Sequence, residues 1–104
     1  MTDDTSATAP PTPEQVLEAV RAGLVRVLPA EDLAQVDIAA IDTATAMLSL
    51  PVDSAALMAL MTELEDTFTV FIEEESAFSF TTVGDIADYI AARAAEKARR
   101  LGET

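Results

Sequence analysis

The sequence predicts an all-α fold, a small bundle of three main helices plus one short helix. Apolar residues recur at helical spacing in three separate stretches, and helix-start and helix-stop signals bracket them. At 104 residues and 50% apolar content, the chain can bury one modest core and no second one.

Residues 1–11 are small, polar and proline-bearing, a composition expected to remain a flexible N-terminal tail. Thr12, Pro13 and Gln15 then supply a cap, a proline at the first helical position and a glutamine at the third, the pattern of a capping box. Leu17, Val20, Leu24, Val27 and Leu28 keep helical spacing; Gly23 is a tolerated weakness, and Pro29 stops the pattern. From Ala30 to Val52 runs a long connection. Its scattered apolar residues Leu33, Val36, Ile38, Ile41, Met47, Leu48 and Leu50 predict an ordered, packed-down loop with one short turn of helix. A second helix is expected from about Ser54 to Phe68, with Leu57, Met58, Leu60, Met61, Leu64 and Phe68 on its buried stripe. A short third helix falls within Glu73 to Ser79. Thr82 with Asp85 caps a fourth, lined by Val83, Ile86, Ile90 and Ala94, with Lys97, Arg99, Arg100 and then Gly102 as stop signals. The structured domain is thus residues 12–95, with 96–104 as helix end and tail.

The chain contains no cysteine and no histidine, which removes disulfides, thiolate nucleophiles, imidazole bases and the commonest zinc ligands together. Glu73 to Glu75 lack the alternating acidic pattern and central glycine of a calcium loop, so no metal site is expected. Net charge is −13, and thirteen carboxylates but no basic residue lie between Arg26 and Arg93. Such a field repels nucleic acid and anionic lipid and favours basic protein partners. The N-terminus lacks the positive flank and apolar core of a signal peptide, and the longest apolar run, Ala55 to Met61, falls far short of the roughly 20 residues of a membrane span. A cytoplasmic, monomeric protein is expected.

Asp53 and Ser54 stand where the loop ends and the second helix begins. Serine is a preferred N-cap residue, and that is one reading of Ser54. A serine hydroxyl without a base is a poor nucleophile, so its other reading is a substrate for modification rather than a catalyst. Met47, Met58 and Met61 suit core packing or an adaptable pocket. Phe68, Phe71, Phe78 and Phe80 read as core or loop anchors, Phe71 and Phe78 least so.

The Asp53-Ser54 pair opening this helix, then Leu64-Glu65-Asp66 and Phe68, Val70 and Ile72, the run Glu73-Glu74-Glu75, Phe80 through Asp85, and Ala87-Asp88-Tyr89-Ile90, resembles an acyl carrier protein. The resemblance covers about Pro13 to Ala92 and accounts for the long first loop. It implies that a phosphopantetheinyl transferase, with Mg²⁺, attaches the 4′-phosphopantetheine arm of coenzyme A covalently to Ser54, with Asp53 in support. It also implies a non-enzymatic carrier domain presenting Ala55, Met58, Glu63, Glu65, Asp66, Glu73, Glu74 and Glu75 to acyltransferase, ketosynthase or adenylation enzymes with basic patches.

Departures from the family pattern point to a specialised role. Ala55 stands where leucine is common, Pro51 where glycine is, and Ala56 and Ala59 where acids are frequent, so the helix mouth is nearly uncharged. Polyketide or other specialised-metabolite biosynthesis fits that surface better than fatty-acid synthesis. An aminoacyl or peptidyl carrier remains open, as does an unmodified acidic helical module that binds proteins.

Overall fold

A computed structural model describes residues 10–103; residues 1–9, most of the expected tail, and Thr104 lie outside the described residues. Helix α1 spans Pro13–Val27, α2 Ala30–Leu33, α3 Ser54–Phe68, α4 Glu74–Ala77 and α5 Val83–Glu103. Short 3₁₀ turns occupy Ile38–Ala40 and Met47–Ser49, and no named strand occurs among the described residues.

The start of α1 follows the sequence signal closely. Thr12 Oγ1 accepts from Gln15 N at 3.1 Å and Gln15 Oε1 accepts from Thr12 N at 2.8 Å, so two otherwise unpaired amides are satisfied reciprocally. The helix stops at Val27, and Pro29 becomes the N-cap of α2. The start of α5 uses the same device: Asp85 Oδ2 accepts from Thr81 N and Thr82 N, and Asp85 N donates to Thr82 Oγ1. At its other end α5 runs past Gly102 to Glu103, beyond the expected stop. No glycine among the described residues takes a positive φ, so Gly102 does not reverse the chain and the helix continues.

Helix α1 packs against both α3 and α5. Val16, Val20 and Leu24 from α1 meet Leu60, Met61 and Leu64 from α3 and Val83, Ile86 and Ile90 from α5, all below 2% exposure. Each such side chain contributes about 1.5–3 kcal/mol by leaving water. Met61 is therefore core, while Met47 and Met58 pack half-buried against it. Phe68 and Phe80 also pack against the core, and Phe80 meets Tyr89 edge to face at 5.4 Å. Phe71 and Phe78 stay exposed.

The connection between α1 and α3 is more structured than one turn of helix: α2 and both 3₁₀ turns lie within it. Two sets of bonds hold it down. On one side the Arg21 guanidinium donates to the carbonyls of Ile41 (2.6 Å) and Ala39 (3.2 Å). On the other, Met47 N donates to Thr81 O, Val83 N to Thr45 O and Gly84 N to Thr43 O, so the loop lies along the start of α5. A Cβ at Gly84 would stand 3.0 Å from Thr43 O, which makes that approach depend on glycine.

Gly23 is likewise more than a tolerated weakness. It is buried where α1 crosses α3, and a Cβ there would meet Leu60 Cδ1 at 2.6 Å. Alanine would gain about 1 kcal/mol of helix propensity, but forcing a methyl into a filled core typically costs about 1–3 kcal/mol. Gly23→Ala is therefore expected to lower unfolding free energy, and to become stabilising in a Leu60→Val background where the clashing methyl is gone. Urea denaturation of the four proteins checks this; loss of equal size in both backgrounds would refute the contact.

Candidate functional site

Helix α3 begins at the end of the anchored loop. Met47 N is tied to Thr81 O, Leu50 N donates to Met47 O, and Val52 N donates to Leu50 O at 2.8 Å, so a chain of backbone bonds leads from the start of α5 to the mouth of α3. Asp53 there is extended, with φ −85° and ψ −177°, and its Oδ1 accepts from Ala56 N at 2.8 Å while its carbonyl accepts from Leu57 N.

Asp53 is thus the N-cap, which corrects the reading of Ser54 as the cap. Both residue types cap well, and only the backbone decides: Asp53 carries the non-helical dihedrals, and Ser54 is already the first helical residue. Ser54 is exposed and its hydroxyl has no hydrogen-bond partner among the described residues. The amides of Ser54 and Ala55 also find no acceptor there, leaving two unpaired N–H groups at the positive pole of a fifteen-residue helix.

The surface around the serine is apolar and uncharged. Ala55 and Ala59 are exposed, Met58 is half-buried, and α3 carries no charged side chain from Ser54 through Thr62. Leu48, expected to pack inward, is 99% exposed. The 3₁₀ turn explains it: Met47 and Leu50, three residues apart, share the side that faces the core, and Leu48 falls on the other. No sequence signal separates Leu48 from its half-buried neighbours Met47 and Leu50.

The six acidic residues of the expected partner face are not equivalent. Glu63 pairs with Arg26 at 2.8 Å, and Glu65 Oε2 accepts from Ile72 N at 2.8 Å, across the turn where Thr69 adopts a left-handed φ of 55°. Glu73 lies 3.9 Å from Arg93. Asp66, Glu74 and Glu75 are exposed and make no such contact among the described residues. No group of three or more His, Cys, Asp or Glu among the described residues is placed to hold a metal ion, and no helix is long and apolar enough to cross a membrane.

Comparison with known proteins places this geometry. The family model for the phosphopantetheine attachment site matches residues 24–90, which include Asp53 and Ser54. An acyl carrier protein of Exiguobacterium sibiricum is 44% identical over 41 residues, 39% of this chain and 52% of that protein, so the chain spans about half the length of this curated relative. The fold is similar to the solution structure of hexanoyl ACP from the actinorhodin polyketide synthase of Streptomyces coelicolor. That likeness has a TM-score of 0.65 at 24% identity and covers 85% of this chain and 95% of that one.

The division of labour between Asp53 and Ser54 is directly measurable. Asp53→Ala removes the cap bond and is expected to lower stability by about 1 kcal/mol. Ser54→Ala removes no bond and is expected to stay within about 0.5 kcal/mol of the parent, since alanine is the better helix former. Chemical denaturation distinguishes them; equal losses would mean that the serine hydroxyl does cap.

Proposed function

We propose, because this chain belongs to the phosphopantetheine attachment-site family, that it is an acyl carrier protein holding biosynthetic intermediates as thioesters on a 4′-phosphopantetheine arm attached to Ser54. The observation that carries the assignment is the state of Ser54. It is exposed, has no hydrogen-bond partner among the described residues, and stands at the N-terminus of a long helix within the matched segment. The residues present suit the group. The free first-turn amides favour a phosphodiester anion by about 0.3–1 kcal/mol, and the neighbouring Asp53 carboxylate offsets part of that gain.

Attachment replaces the Ser54 O–H bond with an O–P bond as the pyrophosphate bond of coenzyme A breaks and adenosine 3′,5′-bisphosphate leaves. The chain has no histidine to take the hydroxyl proton, so that base belongs to a phosphopantetheinyl transferase. When bound, the arm supplies the thiol that a chain without cysteine lacks. The chain's own contribution is presentation: α3 holds the attachment point rigidly, and Asp53 keeps the helix start intact while supporting the transferase.

Partner enzymes, an acyltransferase, ketosynthase or adenylation enzyme with a basic patch, meet an apolar mouth first, through Leu48, Ala55 and Met58. Their basic residues then find Asp66, Glu74 and Glu75, whose combined field acts on encounter rate and orientation more than on affinity. The uncharged stretch from Ser54 through Thr62 offers partners no carboxylate on that stretch of helix, and this supports a cargo from polyketide or another specialised-metabolite pathway over one from fatty-acid synthesis.

Intact mass spectrometry after incubation with coenzyme A, Mg²⁺ and a promiscuous phosphopantetheinyl transferase tests the assignment. One arm added to the parent and none to Ser54→Ala is the expected result. No addition, under conditions that modify a known carrier, would overturn it in favour of an unmodified acidic interaction module.

A further inference from the structure

The chain has six basic residues, and four of them, Arg93, Lys97, Arg99 and Arg100, lie in the second half of α5. Arg93, Lys97 and Arg100 follow one another at spacings of four and three, which puts them on one face of the helix. With Glu96 and the turn Thr69 to Phe71 they line a cavity of about 260 Å³. Lys97 Nζ donates to Thr69 O at 2.9 Å and fixes one wall. Arg93 sits over the Tyr89 ring, 5.5 Å from its centre.

Three cations and one carboxylate line the cavity, with a second carboxylate, Glu73, beside it, and the pairings are long: Arg93 to Glu96 at 3.4 Å and to Glu73 at 3.9 Å, and Arg100 to Glu96 at 3.9 Å. Each guanidinium has five donors, so most remain available to an incoming acceptor. Phe71, on the cavity wall, is 65% exposed. Beyond Lys97 opens a second cleft, of about 1340 Å³, walled in part by Phe68, Val70, Ala94 and Ala98. Cations, an exposed aromatic ring and the apolar wall of an adjoining cleft, whose lining also includes Glu14 and Glu18, therefore meet at one place.

That place is at the opposite end of α3 from Ser54. The helix has fifteen residues, so about 21 Å separates its first residue from its last at the usual helical rise. The thirteen carboxylates between Arg26 and Arg93 repel an anionic partner elsewhere on the domain, and the end of α5 is where such a partner is attracted.

We propose that this end of the bundle docks an acidic amphipathic helix of a partner protein. Its carboxylates meet Arg93, Lys97 and Arg100, and an apolar side chain covers Phe71. Docking here leaves Ser54 accessible, so one protein can hold the domain while another works at the serine. The proposal does not depend on modification of Ser54, and the unmodified protein suffices to test it.

The probe is a fluorescein-labelled helical peptide of repeating Glu and Leu, titrated at low salt and followed by anisotropy and by amide NMR shifts of the full chain. Binding is expected to shift amides at Thr69 to Phe71 and Arg93 to Arg100 and to leave Ser54 unmoved. A Glu→Gln peptide is expected to bind about tenfold more weakly, as is Lys97→Glu/Arg100→Glu, because several modest exposed pairs are lost or turned repulsive together. Phe71→Ala removes an exposed ring without touching the core and is expected to weaken binding about threefold, the scale of a partly covered apolar contact. Equal affinity for the Gln peptide, shifts centred elsewhere, absence of binding, or tighter binding to phosphatidylglycerol vesicles than to the peptide would each overturn the proposal.

Discussion

Anchoring of the connection between α1 and α3 is the constraint on which the rest of the structure depends, and Arg21 holds one side of it. An irregular segment has no ladder of its own, so its carbonyls need partners from elsewhere. Arg21 reaches from α1 to two of them, at Ile41 and Ala39, while also pairing with Glu18 at 2.6 Å. The arrangement has a cost, since Arg21 Nε is buried with no partner. Without this attachment the bonds from Thr43, Thr45 and Met47 to the start of α5 would hold the loop from one side only. Asp53 and Ser54 follow directly from that loop, so the site inherits its order from contacts far away in sequence.

Charge is distributed as unevenly as order. The long run between Arg26 and Arg93 is wholly anionic, yet the fold uses part of it internally: Glu63 holds Arg26 across α1 and α3, and Glu65 caps the amide of Ile72. Of the six carboxylates on the second half of α3 and the segment after it, Asp66, Glu74 and Glu75 are left exposed and without such a contact among the described residues, beyond an uncharged helix mouth. The cations are gathered at the far end of α5, several against the turn at Thr69. A β-branched residue in the left-handed region is uncommon and held only by its surroundings. Lys97 on its carbonyl and Glu65 bonded across the turn are such surroundings.

How much of this was legible in the sequence follows the range of the interactions. The capping boxes at Thr12 and Thr82 act over three residues, and both helix starts were readable from residue types alone. The apolar stripes of α1, α3 and α5 were readable for the same reason, because burial follows a fixed period. The identity of the cap at α3 was not, since Asp53 and Ser54 are both good caps and the choice rests on backbone dihedrals set by the anchored loop. Gly23 resembled a weak point because its reason is Leu60, far along the chain. Leu48 looked like its neighbours Met47 and Leu50, and only the 3₁₀ turn turns it outward. Membership in the family was legible from Leu50 onward, where residue types and spacing agree together.

The separation of cap from serine has a consequence for how the site works. If Ser54 Oγ closed the first turn of α3, esterifying that oxygen would compete with the bond that starts the helix, and modification would be tied to stability. Asp53 takes the cap instead, through an oxygen that modification does not touch. The serine hydroxyl is then free of structural duty, and the bond that starts the helix does not involve it. The proposed use of Ser54, offered first to a transferase and later, with its arm, to other enzymes, would require that independence, and the Asp-Ser order at the mouth of α3 supplies it.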